Sequence, residues 1–422
     1  MNAPWNDAAL AGAFGQDFDA LVAFASRAKA PIGYGFLRAD GSVDVGRPAS
    51  LWINARMTAT FALAQERGTE GAAHLVQHGL EALSGPFASP GGGWYGALVP
   101  ATESGPAPLP GARTDQGSLA ALIVAACGAA RAGHDRGREL LARALADQEA
   151  HWWDPGSGMP RHSWDPGYSR PGTLRRLGDA LSTAGAYMSA WRVCGDRAWL
   201  DRARSIMRFT GEAAARSGWV LPDLFDAHWR PLPSGAALDA DEARAGSLVA
   251  SDGGAVAVRT WDLVVPGDSL PGLGLRAVRL IARLARILDG LGEPPSPWMY
   301  DTAVAVYDRS QSDGWAQGGG FLLSVDGAGR PSVESRMWWV ACEALRAAHG
   351  LGQWASSRGD GATAARLATD YARTVAWTDE RLRAGQGRWI HELAPDGSVS
   401  TRVWEGRPDA YAAAAALLRL DV

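Results

Sequence analysis

Residues 91–100 read Gly-Gly-Gly-Trp-Tyr-Gly-Ala-Leu-Val-Pro, a run of turn formers around two aromatic residues. It lies between stretches whose apolar spacing and Gly/Pro punctuation predict helices at 70–83 and 116–132. Segments of the same character recur at 151–160 (HWWDPGSGMP), 218–229 (GWVLPDLFDAHW), 318–329 (GGGFLLSVDGAG) and 387–397 (GRWIHELAPDG), in several cases after the second of a pair of predicted helices. The steps Trp94 to Trp153, Trp153 to Trp219 and Phe321 to Trp389 are 59, 66 and 68 residues, with a larger insertion between Trp229 and Leu270. A recurring unit of this length outweighs any single helix assignment. Further helices are predicted at 17–29, 50–67, 136–149, 173–194, 197–214, 273–289, 297–310, 333–350, 361–379 and 409–419. A two-helix unit cannot bury its apolar stripe alone, whereas six in a ring can place one helix of each pair inside and one outside. The expectation is an all-α fold, an (α/α)6 barrel with short β-hairpins at one end, spanning residues 1–422 as a single domain.

Composition narrows the class. The chain has 422 residues, 47% apolar and 20% charged, as a soluble globular protein with a large core would. Its net charge is −4, with basic and acidic residues interspersed, so it lacks the concentrated positive field that nucleic-acid phosphates require. Cys127, Cys194 and Cys342 fall far apart in apolar, helix-like stretches, which predicts reduced core thiols and a cytoplasmic location. The first residues, MNAPWNDAALAG, lack the basic and apolar regions of a signal peptide. The least charged stretch, Gln116 to Ala130, is too short to cross a bilayer.

Hairpins gathered at one end could wall a pocket with aromatic rings. Trp52, Trp94, Trp338, Trp339, Trp389 and Trp404 belong to segments placed near that mouth. Such rings suit a sugar, whose C–H faces stack on them while hydroxyls are read at their edges. They also fill wide cores, so no single tryptophan decides the matter. His391 and Glu392 sit beside Trp389 just before the turn signal Ala-Pro-Asp-Gly, where they could be a general base and its orienter or a satisfied pair in a turn.

Four stretches carry a family resemblance: RPASLWINARMTATFALA from Arg47, GGGWYGAL from Gly91, SRMWWVACEALRA from Ser335, and RWIHELAPDG from Arg388 with VWEGRPDAY from Val403. In that order they resemble the N-acylglucosamine 2-epimerase family, closest to its mannose and sulfoquinovose aldose–ketose isomerase branch. LPDLFDAHWRPLP from Leu221 is similar to that branch as well, and the match runs from about Tyr34 to Tyr411. The resemblance implies a cofactor-free, metal-free proton transfer between C1 and C2 of an opened sugar through an enediol. It makes His391 the acid/base, a role that suits a histidine. Arg56 and Glu343 become polar clamps, and Trp94, Trp338 and Trp339 stacking walls. Trp339 and Glu343 are four residues apart, hence on one helical face.

The departures matter. Where the family carries its second histidine, in a Pro-Gly-His segment, this chain has Pro271-Gly272-Leu273, and Arg276 stands at the position of a glutamate. Asp268, in an upstream Pro-Gly-Asp, is a substitute at the cost of a five-residue shift. The family's Asn-Met-His corresponds to Ala180-Leu181-Ser182, its tyrosine near 116 to Gln116, and a polar residue after Asp409-Ala410-Tyr411 to Ala412. Isomerisation can return the proton from the face it left, so one histidine suffices; epimerisation ordinarily needs a second base. Ring opening would draw on Asp268 or Glu392.

Weaker signals do not change this. Asp239 to Glu242 (DADE) resembles an acid motif of terpene cyclases but falls in the insertion. His74 and His78 are four apart on an outer helix, with no third metal ligand evident, and read as a solvated face. Arg276, Arg279, Arg283 and Arg286 form a helical stripe whose default is solvation and ion pairing; an anionic substrate group is the minority reading. No phosphate-binding loop, nucleophile elbow or dinucleotide fingerprint occurs. The expected function is an aldose–ketose sugar isomerase with a small-molecule partner and neither nucleic acid nor membrane. The alternatives are a diverged isomerase or cyclase acting on a less polar substrate, and a non-catalytic carbohydrate-binding protein.

Overall fold

The computed structural model describes residues 3–102, 105–165, 167–238, 248–249, 255–257, 264–403 and 409–419. Twelve α-helices lie in the described residues: α1 (Ala8–Ala25), α2 (Leu51–Glu66), α3 (Ala72–Ser84), α4 (Gln116–Arg131), α5 (Asp135–Asp147), α6 (Leu177–Cys194), α7 (Arg197–Arg216), α8 (Pro271–Gly290), α9 (Pro297–Gly314), α10 (Trp338–Ser357), α11 (Gly361–Arg381) and α12 (Tyr411–Leu417). The even-numbered helices pack in a closed ring, α2 on α4, then α6, α8, α10, α12 and back to α2. Each odd-numbered helix covers the ring from outside, with α1 closing over α12 and α2. This is the (α/α)6 barrel.

Sequence decides which helix goes where. α4 buries thirteen of its sixteen residues, as a helix apolar all round must. Its partner α5 buries Gly137, Leu140, Leu141, Ala144 and Leu145, a single stripe at helical spacing, and turns its charged residues to solvent except Asp147, which is buried and accepts from Trp152 Nε1 and Tyr168 Oη. For the stripe of Arg276, Arg279 and Arg283 the expected ion pairing holds, Arg276 and Arg279 both meeting Glu343, but the expected solvation is corrected. α8 is an inner helix, so Arg279 and Arg283 are buried, and only Arg286 is exposed. Arg283 donates to Gly185 O and Ser189 Oγ of α6.

The hairpins fasten the inner helices at their N-terminal end. The first amides of α2, α4, α6 and α10 donate to carbonyl oxygens of a following hairpin: Leu51 to Gly96, Gln116 to His162, Leu177 to Asp223 and Trp338 to His391, at 2.8–3.1 Å. α8 begins with Pro271, which has no N–H, and there Ser269 and Val325 exchange two backbone bonds instead. These contacts satisfy helix-end donors that would otherwise be orphaned. They also explain why the helix predicted at 333–350 starts only at Trp338. Residues 331–337 are a strand whose Arg336 and Met337 pair with Leu393 and Glu392, partners far along the chain. The helix predicted at 17–29 starts earlier, at Ala8, because Asp7 caps it by accepting from the amides of Ala9 and Leu10.

Cys127 and Cys342 are buried free thiols, but Cys194 is exposed at the end of α6, so it is not a core residue. Among the described residues, no helix is long and apolar enough to cross a membrane. The Asp239–Glu242 motif and Trp404 lie outside the described residues.

Candidate active site

The main cavity opens where the inner helices begin. It is lined from their first turns by Trp52 and Arg56 of α2, Gly117 of α4, Asp179 and Ser182 of α6, Leu273 and Arg276 of α8, and Trp338, Trp339 and Glu343 of α10. One arc, on α4 and α6, presents the apolar Ala120, Ala121, Val124 and Leu181 beside the polar Arg176, Asp179, Ser182 and Asp223. The facing arc, on α8 and α10, is charged. There Arg276 Nε and Arg279 Nε donate to the two oxygens of Glu343 at 2.9 and 3.0 Å, and Arg346 lies 3.8 Å away. Burial works to raise the Glu343 carboxyl, but the guanidinium groups of Arg279, Arg276 and Arg346 outweigh it and hold the group well below the usual carboxylate range. Glu343 is therefore a fixed anion that organises arginines, not an acid. Arg276 also donates to Ser182 Oγ at 3.2 Å and stands over the Trp339 ring.

The wall tryptophans are held rigidly. A Cβ on Gly272 would meet the Trp339 ring at 2.3 Å, so only glycine lets this indole lie flat against α8. Trp339 Nε1 is buried and has no hydrogen-bond partner among the described residues. Arg56 Nε donates to Asp409 Oδ1 at 3.0 Å, and its guanidinium lies between the Trp52 and Tyr411 rings, 4.4 and 4.9 Å from their centroids. A buried guanidinium needs such partners.

Of the residues singled out from sequence, Arg56, Trp338, Trp339 and Glu343 reach the main cavity. Trp94 does not: it is buried behind its hairpin, its Nε1 donates to Leu83 O, and Arg143 covers its ring. His391 lies face to face on Trp338, with ring centroids 4.0 Å apart, and lines a smaller chamber with Asp409, Met57 and Trp389 rather than the main cavity. The Arg56–Asp409 pair joins the two spaces, since Arg56 lines one and Asp409 the other. Among the described residues no histidine lines the main cavity.

Glu392 is a tie within the hairpin. Its oxygens accept from Ser335 Oγ, Ser400 Oγ and the Val403 amide, on the strand face opposite to His391. Asp268 is likewise outside the cavity, accepting from Ser324 Oγ and Ser332 Oγ at 3.1 Å. Burial raises its carboxyl above the ordinary range. An acid raised in the folded state binds protons more readily there, so its charge lowers stability as pH climbs above the unfolded value. Asp268→Asn is expected to unfold at or above the wild-type temperature at pH 7, with the difference closing as pH falls, and to keep full activity. Thermal melts across pH check this.

Sequence reasoning missed Asp179 and His162. Asp179 lines the cavity from the first turn of α6, and His162 Nδ1 lies 2.8 Å from its Oδ2, an ion-pair contact off the ideal hydrogen-bond line. The two are seventeen residues apart across a hairpin, with no spacing signal to join them. The reading of His74 and His78 as a solvated face holds for His74 alone. His74 is exposed, but His78 Nε2 lies 3.1 and 2.8 Å from the carbonyl oxygens of Ala30 and Gly33. Among the described residues no three His, Cys, Asp or Glu side chains are grouped to hold a metal ion.

Known proteins give this geometry its context. The N-acylglucosamine 2-epimerase (GlcNAc 2-epimerase) profile matches residues 33–416. A D-mannose isomerase of Thermobifida fusca is 32% identical over 410 residues, covering 93% of this chain and 89% of the relative. A crystal structure of D-mannose isomerase superposes with a TM-score of 0.79 at 18% identity, covering 97% of each chain. A cellobiose 2-epimerase from Bacillus thermoamylovorans B4167 gives 0.77 at 14% identity, covering 97% of this chain and 98% of the other. Barrel, cavity and relatives together define an isomerase of the sugar isomerase and epimerase class. More particularly, the chain belongs to the N-acylglucosamine 2-epimerase family.

Proposed function

We propose that this protein is an aldose–ketose isomerase of a small sugar such as D-mannose, working in the cytoplasm as one barrel domain, with His391 as an acid/base. The observation that carries the reading is the two-sided cavity at the inner-helix N-termini. A pyranose or opened sugar presents apolar C–H faces and a rim of hydroxyls, and the cavity offers apolar side chains on α4 and α6 together with Ser182 Oγ, Asp179 and the arginines of α8. The relatives named above support the same substrate class.

Chemically, a base removes the C2 proton, the C–H electron pair becomes the C1=C2 bond, and charge collects on the former carbonyl oxygen. Arg276 and Arg279 are placed to stabilise that enediolate oxygen, in a site partly closed to water. The hydroxyl proton on O2 then passes to O1, O2 collapses to the ketone, and C1 takes the proton held by the base. His391 would act from its own chamber beside Trp338, next to the Arg56–Asp409 pair whose two members line the two spaces.

A second reading is favoured by Leu273 and Ala412, which line the cavity where the family carries polar groups and suit a less polar substrate. The experiment is to incubate the protein with mannose, glucose, fructose and sulfoquinovose in deuterated water and follow C2 by NMR. Deuterium at C2 together with ketose formation is the expected result. Binding without exchange for every sugar would convert the assignment to a carbohydrate-binding protein.

A further inference from the structure

His391 and His162 occupy equivalent places in the repeat. The backbone carbonyl of each accepts from the first amide of the inner helix before it, Trp338 of α10 and Gln116 of α4. In the ring order α2, α4, α6, α8, α10, α12, the hairpin of His162 bridges α4 and α6, and that of His391 bridges α10 and α12. These are the second and fifth of six stations, three apart in either direction, and therefore on opposite sides of the cavity. At each station the next inner helix brings an aspartate near its start, Asp179 in the one case and Asp409 in the other.

The two stations differ in what faces the cavity. At the α10–α12 station Asp409 is neutralised by Arg56. At the α4–α6 station Asp179 itself lines the cavity, with His162 Nδ1 2.8 Å from its Oδ2; His162 is buried, and its Nε2 has no partner among the described residues. The seating is tight. A Cβ on Gly117 would meet Asp179 Oδ1 at 2.5 Å and Asp115 Oδ1 at 3.2 Å, so α4 presents bare backbone to the carboxylate. Nearby, Asp115 caps α4 by accepting from Ser118, and Arg176 pairs with Asp223.

We propose that Asp179, seated by His162, is a second proton-transfer group of this site, working on the sugar face opposite to His391. The proposal rests on the sugar-isomerase reading and supplies what the loss of the family's second histidine, Leu273 here, took away. The carboxylate accepts the proton from C2 as the C–H pair forms the enediolate. Returned by Asp179 to C1, that proton gives the ketose. If a protonated His391 instead gives its own proton to C2 from the other face, the product is the C2 epimer, leaving Asp179 protonated and His391 neutral until solvent exchange resets both. Asp179 is the catalytic residue of the pair and His162 a positioning residue.

The test uses Asp179→Asn and His162→Gln in the full chain, with the deuterium-exchange assay and with binding of a sugar hydroxamate that mimics the enediolate. Asp179→Asn is expected to lower kcat by roughly 100-fold or more with KM changed less than about threefold. His162→Gln is expected to keep measurable turnover but displace the acid limb of the kcat/KM pH profile, which a purely structural residue would not move. Wild-type mannose turnover is expected to yield glucose beside fructose, and Asp179→Asn to change that ratio. Full activity and an unchanged product ratio in folded Asp179→Asn would overturn the proposal while leaving the isomerase reading intact. If the wild type exchanges no tested sugar, hydroxamate affinity decides: a roughly tenfold loss in Asp179→Asn supports the pair, and equal affinity, or no binding by the wild type, overturns it.

Discussion

Glu343→Gln is expected to destabilise the barrel by about 3–5 kcal/mol, because it strands Arg276, Arg279 and Arg346 in the charged arc with no carboxylate between them. Removing one partner of a buried ion pair leaves uncompensated charge, and here one anion serves three cations. The pH dependence follows from the depressed carboxyl of Glu343. Its contribution is complete above the unfolded carboxyl value of roughly 4.3 and is lost only as pH falls from there toward the much lower folded value. The gap between wild type and Glu343→Gln in urea unfolding is therefore largest near neutrality and shrinks below about pH 4. A neutral-pH difference under about 1 kcal/mol, the scale of an exposed pair, would mean that the arc is solvated rather than dry. Adding Arg276→Leu to Glu343→Gln should recover part of the loss, since it removes one stranded charge.

His391→Gln is expected to lower C2 exchange by roughly two to four orders of magnitude, the range spanned by a positioned acid/base. Glutamine cannot take and return a proton near neutral pH, although it can fill much of the space beside Trp338. The lost ring stacking, with centroids 4.0 Å apart, should cost only about 0.5–1.5 kcal/mol of stability. The separation of a large kinetic effect from a small thermodynamic one is the informative result. Turnover within threefold of wild type would remove His391 from the chemistry and leave Asp179 as the principal base.

The two assignments make different demands on the cavity. With His391 alone, the proton leaves and returns on one face, and the product is the ketose. With Asp179 on the opposite face as well, the same barrel can release both a ketose and a C2 epimer. The ratio of these products thus reports which walls take part, independently of rate. The arginines serve either course, because the enediolate charge is common to both.

The barrel was legible in the chain because its evidence is periodic and local. Inner helices such as α4 are apolar all round and outer ones such as α5 carry a single stripe, a difference that burial demands and composition displays. The aromatic hairpins recur at near-constant intervals for the same reason: each must close one helical pair. Arg56, Trp338, Trp339 and Glu343 could be placed at the cavity because each sits within the first two turns of an inner helix, where helical spacing fixes its direction. What only tertiary structure decided was the ranking of the polar groups. His391 and Asp268 sit in hairpins and loops, where side-chain direction depends on strand pairing with residues far along the chain. That pairing put His391 behind Trp338 and tied Asp268 to two serines. The contact of His162 with Asp179 exists because α4 and α6 stand side by side in the ring, and no local pattern of residues encodes which neighbour a closed ring will bring.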